Sequence, residues 1–520
     1  MPARIGFLVT FAIVAWLLSA GASSSAPGIG RLDGAITAQD EAVYSHAAIR
    51  MVETDEWSTP MFMGRFFLYK PPLLYWLSGA SAKLFGVSAW ALRLPSILAA
   101  SLTAGLVVVW VLGAASWWRA LVAALLLIAC PLFVELGKRN MTDAVVMAAI
   151  VASAWLLAHR KPIEALAACI AIGILCKSIA GLIPILISGA WWLAATRRPP
   201  LKRVMLTAGL GLLIAAPWFV YQWETHRRWF EAEFIGVELL AYGASAPPQT
   251  STEFAPFFYA VRLWENSRSL CLLFLAALPA FAAALRQRQS SGALALGCAI
   301  AVMTAAILGY QYRNATYLLP LWPLLAVAGA LYAPSWALLA APTLLILAPA
   351  PIAKSGDDGR AVVQLAEEYC ELNRGNELIV VDVPDNFSVS TMPLARLRYA
   401  IKGVTVQDPG QITLDFRRMG IILPVSEFNE HTRARYWDEL RPWGLPNDDA
   451  LGSVIGWDRP DDLAQLIREH GQSDLLFASG ERPSAAAETH RTMTSKQGPS
   501  LLLSHHVLPR AIPRRRACRL

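Results

Sequence analysis

Mostly apolar stretches recur through the first 352 residues, near 4–22, 89–113, 117–135, 142–158, 162–176, 179–195, 203–223, 268–285, 292–310, 315–333 and 335–352. A helix that crosses a bilayer needs about 20 such residues, because no water is available there and the helix must satisfy its own backbone N–H and C=O groups. The pattern predicts a polytopic α-helical membrane protein with about eleven transmembrane helices. Composition excludes an ordinary soluble globule: 55% of residues are hydrophobic and only 16% charged, against about 25% charged in soluble domains.

The basic residues mark one side of this array. Arg119, His159-Arg160-Lys161, Arg197-Arg198, Lys202-Arg203 and Arg286-Gln-Arg288 fall between alternate spans, and the positive-inside rule makes those loops cytoplasmic. The net charge of +7 is thus a topology signal and does not imply nucleic acid. The small-residue run Ala20 to Ala26 has the look of a signal-peptidase site, but the topology works with the first span retained as a signal anchor. The outward loops are then 23–88, 135–143, 176–178, 224–267 and 310–316. An odd number of spans sends the chain from Lys354 to the same outer side.

That C-terminal part reads as soluble. Glu377–Asp382 and Gly420–Pro424 have strand character, while Ala361–Leu372 and Asp461–His470 have helical periodicity. The expected organisation is a membrane domain over 1–353, an extracytoplasmic α/β domain over 354–480 and a loosely ordered polar and basic tail over 481–520. Of the 7 cysteines, Cys130, Cys169, Cys176, Cys271 and Cys298 lie in apolar segments, where sulfur acts as a small hydrophobe. No disulfide framework, zinc spacing or other metal site is expected, and no cofactor is indicated.

The first outer loop concentrates the chemistry. Asp40 and Glu41 precede a helical pattern over 42–52 in which Tyr44, Ala48 and Met51 share a face. A carboxylate at a helix start is adequately explained as a cap worth about 1 kcal/mol. Lys70 shifts the balance, because the rigid Pro71-Pro72 pair fixes its position. An ionised aspartate to activate a hydroxyl and a lysine to neutralise a departing phosphate are the two groups needed to move a sugar off a lipid phosphate.

The run Asp40-Glu41, Tyr44, Gly64, Lys70-Pro71-Pro72-Leu73, Tyr75-Trp76, Phe85-Gly86 and Arg93-Leu94-Pro95-Ser96 resembles the first loop of polyprenyl-phosphate-dependent glycosyltransferases related to protein O-mannosyltransferases and lipid A aminoarabinose transferases. The likeness is dense over residues 36–100 and weaker to about residue 330. It implies a GT-C fold, an extracytoplasmic active site, and an integral cytoplasmic (inner) membrane enzyme that takes sugar from a polyprenyl-phosphate donor with inversion. On this resemblance Asp40, with Glu41, matches the catalytic acidic pair. Lys70 matches the lysine that contacts the donor phosphate, and Tyr44 and Tyr69 match cavity positions.

Further segments resemble the same family. Arg139 to Asp143 matches a turn whose aspartate faces the cavity, Cys176-Lys177-Ser178 a lysine before the sixth span, and Arg313 to Pro320, with Tyr317, a later substrate-facing segment. Ionisable groups at span ends are functional candidates by default. Asp143 equally suits a helix cap, and Lys177 suits either a phosphate contact or snorkelling to the interface. Val43 stands where aminoarabinose transferases tend to have arginine, and Tyr69 where they have glutamate, so sugar and acceptor stay open.

In the loop 224–265 the aromatics Trp229, Phe230, Phe234, Phe254, Phe257, Phe258 and Tyr259 read mainly as interfacial anchors, and nothing in the spacing selects among Glu231, Glu233 and Glu238. A transporter or flippase of lipid-linked sugars is the competing function, and a receptor that binds through its outer tail a third. Transporters place ionisable residues near the midplane, whereas here they gather on one outer side, which favours the transferase.

Overall fold

The computed structural model describes residues 2–23, 39–62, 65–227, 230–241, 255–287, 291–310 and 313–347, together with short strands further on. Arg31, Gly64, Trp229, Phe254, the helical segments expected at 361–372 and 461–470, and the basic run at 510–519 lie outside the described residues. The chain divides into two units: Met1–Asp33, Met51–Pro60 and Phe67–Lys354 form the first, and Gly34–Arg50, Met61–Phe66 and Ser355–Leu520 the second.

The first unit is a helical bundle: a polytopic membrane protein. Helix α1 (Pro2–Ser23) packs on α4 (Ala89–Leu112), and α4 packs on α7 (Thr142–Ala158). Helix α7 is buried along nearly its whole length because its residues are small or aliphatic on every face, as a helix surrounded by other helices requires. The basic Arg119 starts α5 (Trp117–Ile128) and closes the far end of a later helix, α14 (Leu321–Tyr332), donating to the carbonyls of Ala330 and Ala333 at 2.8 and 3.0 Å. It satisfies carbonyls that a helix end would otherwise leave open.

Within the described residues each stretch expected to span is largely helical, but the helices are not uniform. Among the described residues 6 are long and apolar enough to cross, or up to 7 if the bent pair α5 and α6 (Pro131–Gly137) is one span. Residues 3–19 and 142–158 are apolar but shorter. The span expected over 117–135 is broken: it bends by 72° at Cys130-Pro131, where proline lacks the N–H needed to continue the helix.

The stretch Ala165–Ala194 holds α8 (Ala165–Lys177), a 3-10 turn (Ser178–Leu182) and α9 (Ile183–Ala194). It is not one rod, because Gly181 returns against Gly173, and a Cβ on Gly173 would lie 2.8 Å from the Gly181 Cα. In a continuous helix residues eight apart stand about 12 Å apart.

One set of helix ends is tied by side chains. Ser78 of α3 (Leu73–Phe85) donates to the side-chain amide oxygen of Asn140 at 2.8 Å, and Ser96 of α4 bonds the backbone of Met141. Trp76 of α3 donates to the Trp57 carbonyl at 2.7 Å. On α10 (Leu201–Thr225), Trp218 and Gln222 donate to the Ser58 carbonyl at 2.9 and 2.8 Å. The loop before Lys70 is thereby anchored at fixed points.

Of the second unit, most of α2 (Gln39–Thr54) and an antiparallel pair, β1 (Met61–Phe62) with β2 (Arg65–Phe66), are described near the N-terminus. Further on, a four-stranded sheet has the order β3-β6-β8-β7, from β3 (Leu378–Val381), β6 (Asp474–Phe477), β7 (His490–Met493) and β8 (Leu501–Ser504). Strand β3 runs parallel to β6 with Leu378 opposite Asp474, and β8 is antiparallel to both neighbours. A separate parallel pair joins β4 (Ile422–Leu423) to β5 (Ile455–Gly456). Strands β3 and β4 fall on the two segments of strand character. Strands β7 and β8 fall within 481–520, expected to be loosely ordered; the apolar run Leu501-Leu502-Leu503 gives that otherwise polar stretch something to pair.

Candidate active site

Lys70 is positioned by the residues on either side of it. Tyr69 lies with its ring 5.4 Å from Phe67, and Pro71 and Pro72 are buried. The Pro72 carbonyl accepts the Trp76 amide at 2.9 Å, so α3 starts directly after the lysine. The Lys70 ammonium is 19% exposed and meets the Glu238 carboxylate at 2.5 Å. The other oxygen of Glu238 accepts a hydrogen bond from the buried Ser178 hydroxyl at 2.9 Å.

Glu238 is the site residue that spacing did not single out. It lies on a π-helix, Phe230–Ala241, a rare form that is frequent at functional sites. Phe230 and Phe234 stack at 4.8 Å and meet Trp218, Phe219 and Trp223 of α10. Phe230, Phe234 and Glu238 are all buried at four-residue spacing, so the aromatic face that docks the π-helix also delivers the carboxylate. The carboxylate thus continues an apolar stripe, and the aromatics of α10 that receive the stripe give it its meaning. This packing also corrects the interfacial reading of this loop. Among the described aromatics Phe230, Phe234, Phe258 and Tyr259 point inward, because they pack against one another and the bundle, and Phe257 is exposed. Glu231 pairs with Arg227 at the surface instead.

A second ion pair adjoins the first through the backbone. Lys177 ends α8 and donates to Asp143 of α7 at 2.7 Å, with the pair 17% and 8% exposed. Its ammonium also sits 5.3 Å from the centre of the Tyr317 ring, which meets Tyr310 edge-on at 5.5 Å. Asp143 stands in the first turn of α7, as a helix-start carboxylate would, and its carboxylate also meets the Lys177 ammonium. Lys177 reaches sideways to that carboxylate rather than snorkelling outward.

The next residue, Ser178, has φ +40°, a left-handed backbone that costs a non-glycine residue energy. The strain turns the chain so that consecutive side chains diverge, Lys177 to Asp143 and Ser178 to Glu238. Further along, Arg313 lies beside Tyr259 of α11 (Ala255–Asn266) just before a 3-10 turn, Ala315–Leu318. Burial pushes the Tyr259 phenol up, opposed by the Asn314 backbone and the Arg313 charge.

Lys70, Glu238, Ser178, Lys177, Asp143 and Tyr317 thus form one continuous polar cluster inside the first unit. Asp40, Glu41 and Tyr44 belong to the α2 stretch of the second unit. The helix begins earlier than expected, at Gln39, which puts both carboxylates in its first turn. Asp40 is exposed and Glu41 is fully buried, and Tyr44, Ala48 and Met51 are all buried as their common face requires. Among the described residues no group of three or more His, Cys, Asp or Glu side chains is placed to hold a metal ion.

The fold defines a polytopic α-helical membrane protein. The chain superposes on ArnT from Cupriavidus metallidurans, solved in the apo state and bound to undecaprenyl phosphate, with TM-score 0.65 and 14% identity over 96% of this chain and 98% of that one. The oligosaccharyltransferase of Archaeoglobus fulgidus matches with TM-score 0.50 and 13% identity over 90% of this chain and 69% of its own.

In sequence, residues 69–221 match the family described as dolichyl-phosphate-mannose-protein mannosyltransferase. An undecaprenyl phosphate-alpha-4-amino-4-deoxy-L-arabinose arabinosyl transferase of Aeromonas salmonicida is 28% identical over 197 residues, 35% of this chain and 36% of that protein. Its namesake in Erwinia tasmaniensis is 26% identical over 308 residues, 55% and 54% of the two chains. The matched region spans about half or less of these relatives, and they are polyprenyl-phosphate glycosyltransferases by name.

Proposed function

We propose that this protein is an inverting glycosyltransferase of the cytoplasmic (inner) membrane that moves a sugar from a polyprenyl-phosphate donor to an extracytoplasmic acceptor. The observation that carries the reading is the placement of Lys70: a fixed ammonium, backed by a second lysine–carboxylate pair, where several helix ends meet. Such an ammonium suits a phosphate whose negative charge grows as the sugar leaves.

In the proposed reaction the bond between the sugar C1 and the phosphate oxygen breaks, and its electron pair stays on the phosphate. An acceptor hydroxyl oxygen bonds C1 from the opposite face, and Asp40, aided by Glu41, takes its proton. Lys70 stabilises the departing phosphate, helped by Arg313 and Tyr317, while Tyr44 and Tyr69 line the cavity. Asp143 and Lys177 contact substrate polar groups. No metal ion or cofactor has a role in this scheme. The membrane domain over residues 1–353, with eleven crossings and a cytoplasmic N-terminus, puts loops 23–88 and 224–267 outside. The α/β part from residue 354 lies on the same side and selects the acceptor, a glycolipid, protein or polysaccharide.

The test is purified protein in nanodiscs given polyprenyl-phosphate sugars and candidate acceptors, with free polyprenyl phosphate as the readout. Turnover is expected in the native protein and a loss on the order of a hundredfold or more in Asp40→Asn, the range for removing a general base. Full turnover in a folded Asp40→Asn would exclude Asp40 as the base, and absence of release with every donor would exclude the transferase.

A further inference from the structure

Lys70, assigned above to the donor phosphate, already carries an anion. Glu238 lies 2.5 Å from its ammonium, is 10% exposed, and has its second oxygen held by Ser178 at 2.9 Å. A carboxylate with one oxygen on an ammonium and the other on a hydroxyl reproduces what two phosphate oxygens would do in the same seat. The partners on both sides are fixed: Lys70 by the double proline, Ser178 by its constrained backbone. The carboxylate arrives on a π-helix docked through the stacked Phe230 and Phe234. Loss of the Lys70 contact would leave that aromatic docking intact.

We infer that Glu238 is a resident counter-anion that exchanges with the lipid phosphate on Lys70 and, by returning, drives release of the phosphate product. This inference rests on the proposed function. The charges give it direction. The donor is a phosphodiester with a single negative charge, whereas the product is a monoester whose second proton is lost near pH 6, so at neutral pH it carries close to two. A bare Lys70 would hold the product more tightly than the donor and would become trapped with it. A competing carboxylate weakens both, and the product is the one the site most needs to shed. The seat therefore excludes weak anions, admits a lipid phosphate at reduced affinity, and returns to its paired state after each turnover. The apparent affinity of a site occupied by its own anion falls by the fraction of time it is free.

The experiment uses the full chain in nanodiscs with undecaprenyl phosphate as the probe, comparing native protein, Glu238→Gln, Ser178→Ala and Lys70→Ala by direct binding, with thermal unfolding to monitor folding. Glu238→Gln is expected to bind undecaprenyl phosphate on the order of tenfold more tightly than native protein, the gain that corresponds to a competing carboxylate leaving Lys70 free about a tenth of the time. Ser178→Ala loosens only one oxygen of the carboxylate and is expected to tighten binding about two- to threefold by the same logic. In turnover assays Glu238→Gln is expected to show stronger product inhibition and a lower kcat, with little change in the bond-breaking step in a single turnover.

Weaker or unchanged binding in both Glu238→Gln and Ser178→Ala, with Lys70→Ala still impaired, would overturn the exchange and leave the proposed function standing. Unchanged binding in Lys70→Ala would overturn the assignment of Lys70 itself, and the exchange with it. If Glu238→Gln fails to fold, Ser178→Ala decides: tighter binding supports the exchange, weaker or unchanged binding overturns it.

Discussion

Asp143 and Lys177 are the residues whose isolated loss the fold tolerates least. Each is mostly withdrawn from solvent, and each is the other's counter-charge at 2.7 Å. Removing one leaves the other charged among helix ends, at a cost of about 3 kcal/mol by the measure of broken buried pairs. Asp143→Asn is therefore expected to lower thermal stability in detergent by that order. The double variant Asp143→Asn with Lys177→Met should recover part of the loss, on the order of 1 kcal/mol, since the two residues are in contact and their effects do not add. Strict additivity would mean that the pair does not couple. Lys70 stood out in the sequence through the proline pair beside it, Asp143 and Lys177 as charges at the ends of apolar stretches, and Tyr317 through the family resemblance alone. Glu238 did not, because it lies among other glutamates in a polar loop. What singles it out is a buried stripe with Phe230 and Phe234, whose meaning depends on the partner that α10 supplies.

At the scale of elements, the helical stretches follow from apolar length, but the places where they break decide the site. The turn after α8 puts Lys177 and Ser178 on divergent paths, and it closes only because Gly173 and Gly181 allow backbone to touch backbone. A methyl at Gly181 would overlap the Gly173 carbonyl carbon, and backbone cannot swing aside as a flexible side chain can. Gly181→Ala is expected to destabilise by about 1–3 kcal/mol, the range for overpacking. It should also cut donor turnover more than the stability loss explains, because both Lys177 and Ser178 would move. A variant with native Tm and native turnover would show that the close approach is not required. Pro131 made the bend between α5 and α6 readable in hindsight; its 72° angle depends on tertiary packing that no local pattern encodes. The glycine pair was harder to read, since two glycines eight residues apart in an apolar run look like ordinary small-residue packing until the chain is known to turn between them.

For the whole molecule the decisive quantity is which side of the membrane the polar cluster faces, and the basic residues set it. His159-Arg160-Lys161, Arg197-Arg198 and Lys202-Arg203 sit at one set of helix ends, whereas Lys70, Asp143 and Lys177 sit at the other. A charge bias in short loops orients the array during insertion, and a paired, mostly buried charge such as Lys177 contributes little to it. The first set should therefore face the cytoplasm and the cluster the outside. Single cysteines introduced into a chain stripped of its 7 native ones test this directly. Glu56 and Glu224 are exposed near the cluster, and Lys161 and Arg198 are exposed at the opposite ends. In sealed cells or spheroplasts a membrane-impermeant maleimide is expected to label Glu56→Cys and Glu224→Cys, and to reach Lys161→Cys and Arg198→Cys only after the membrane is opened. The reverse pattern would place the lysine–carboxylate cluster in the cytoplasm. A polyprenyl-phosphate donor would then have to be used on the inner leaflet, which would remove the outer acceptor from the scheme while leaving the chemistry at Lys70 intact.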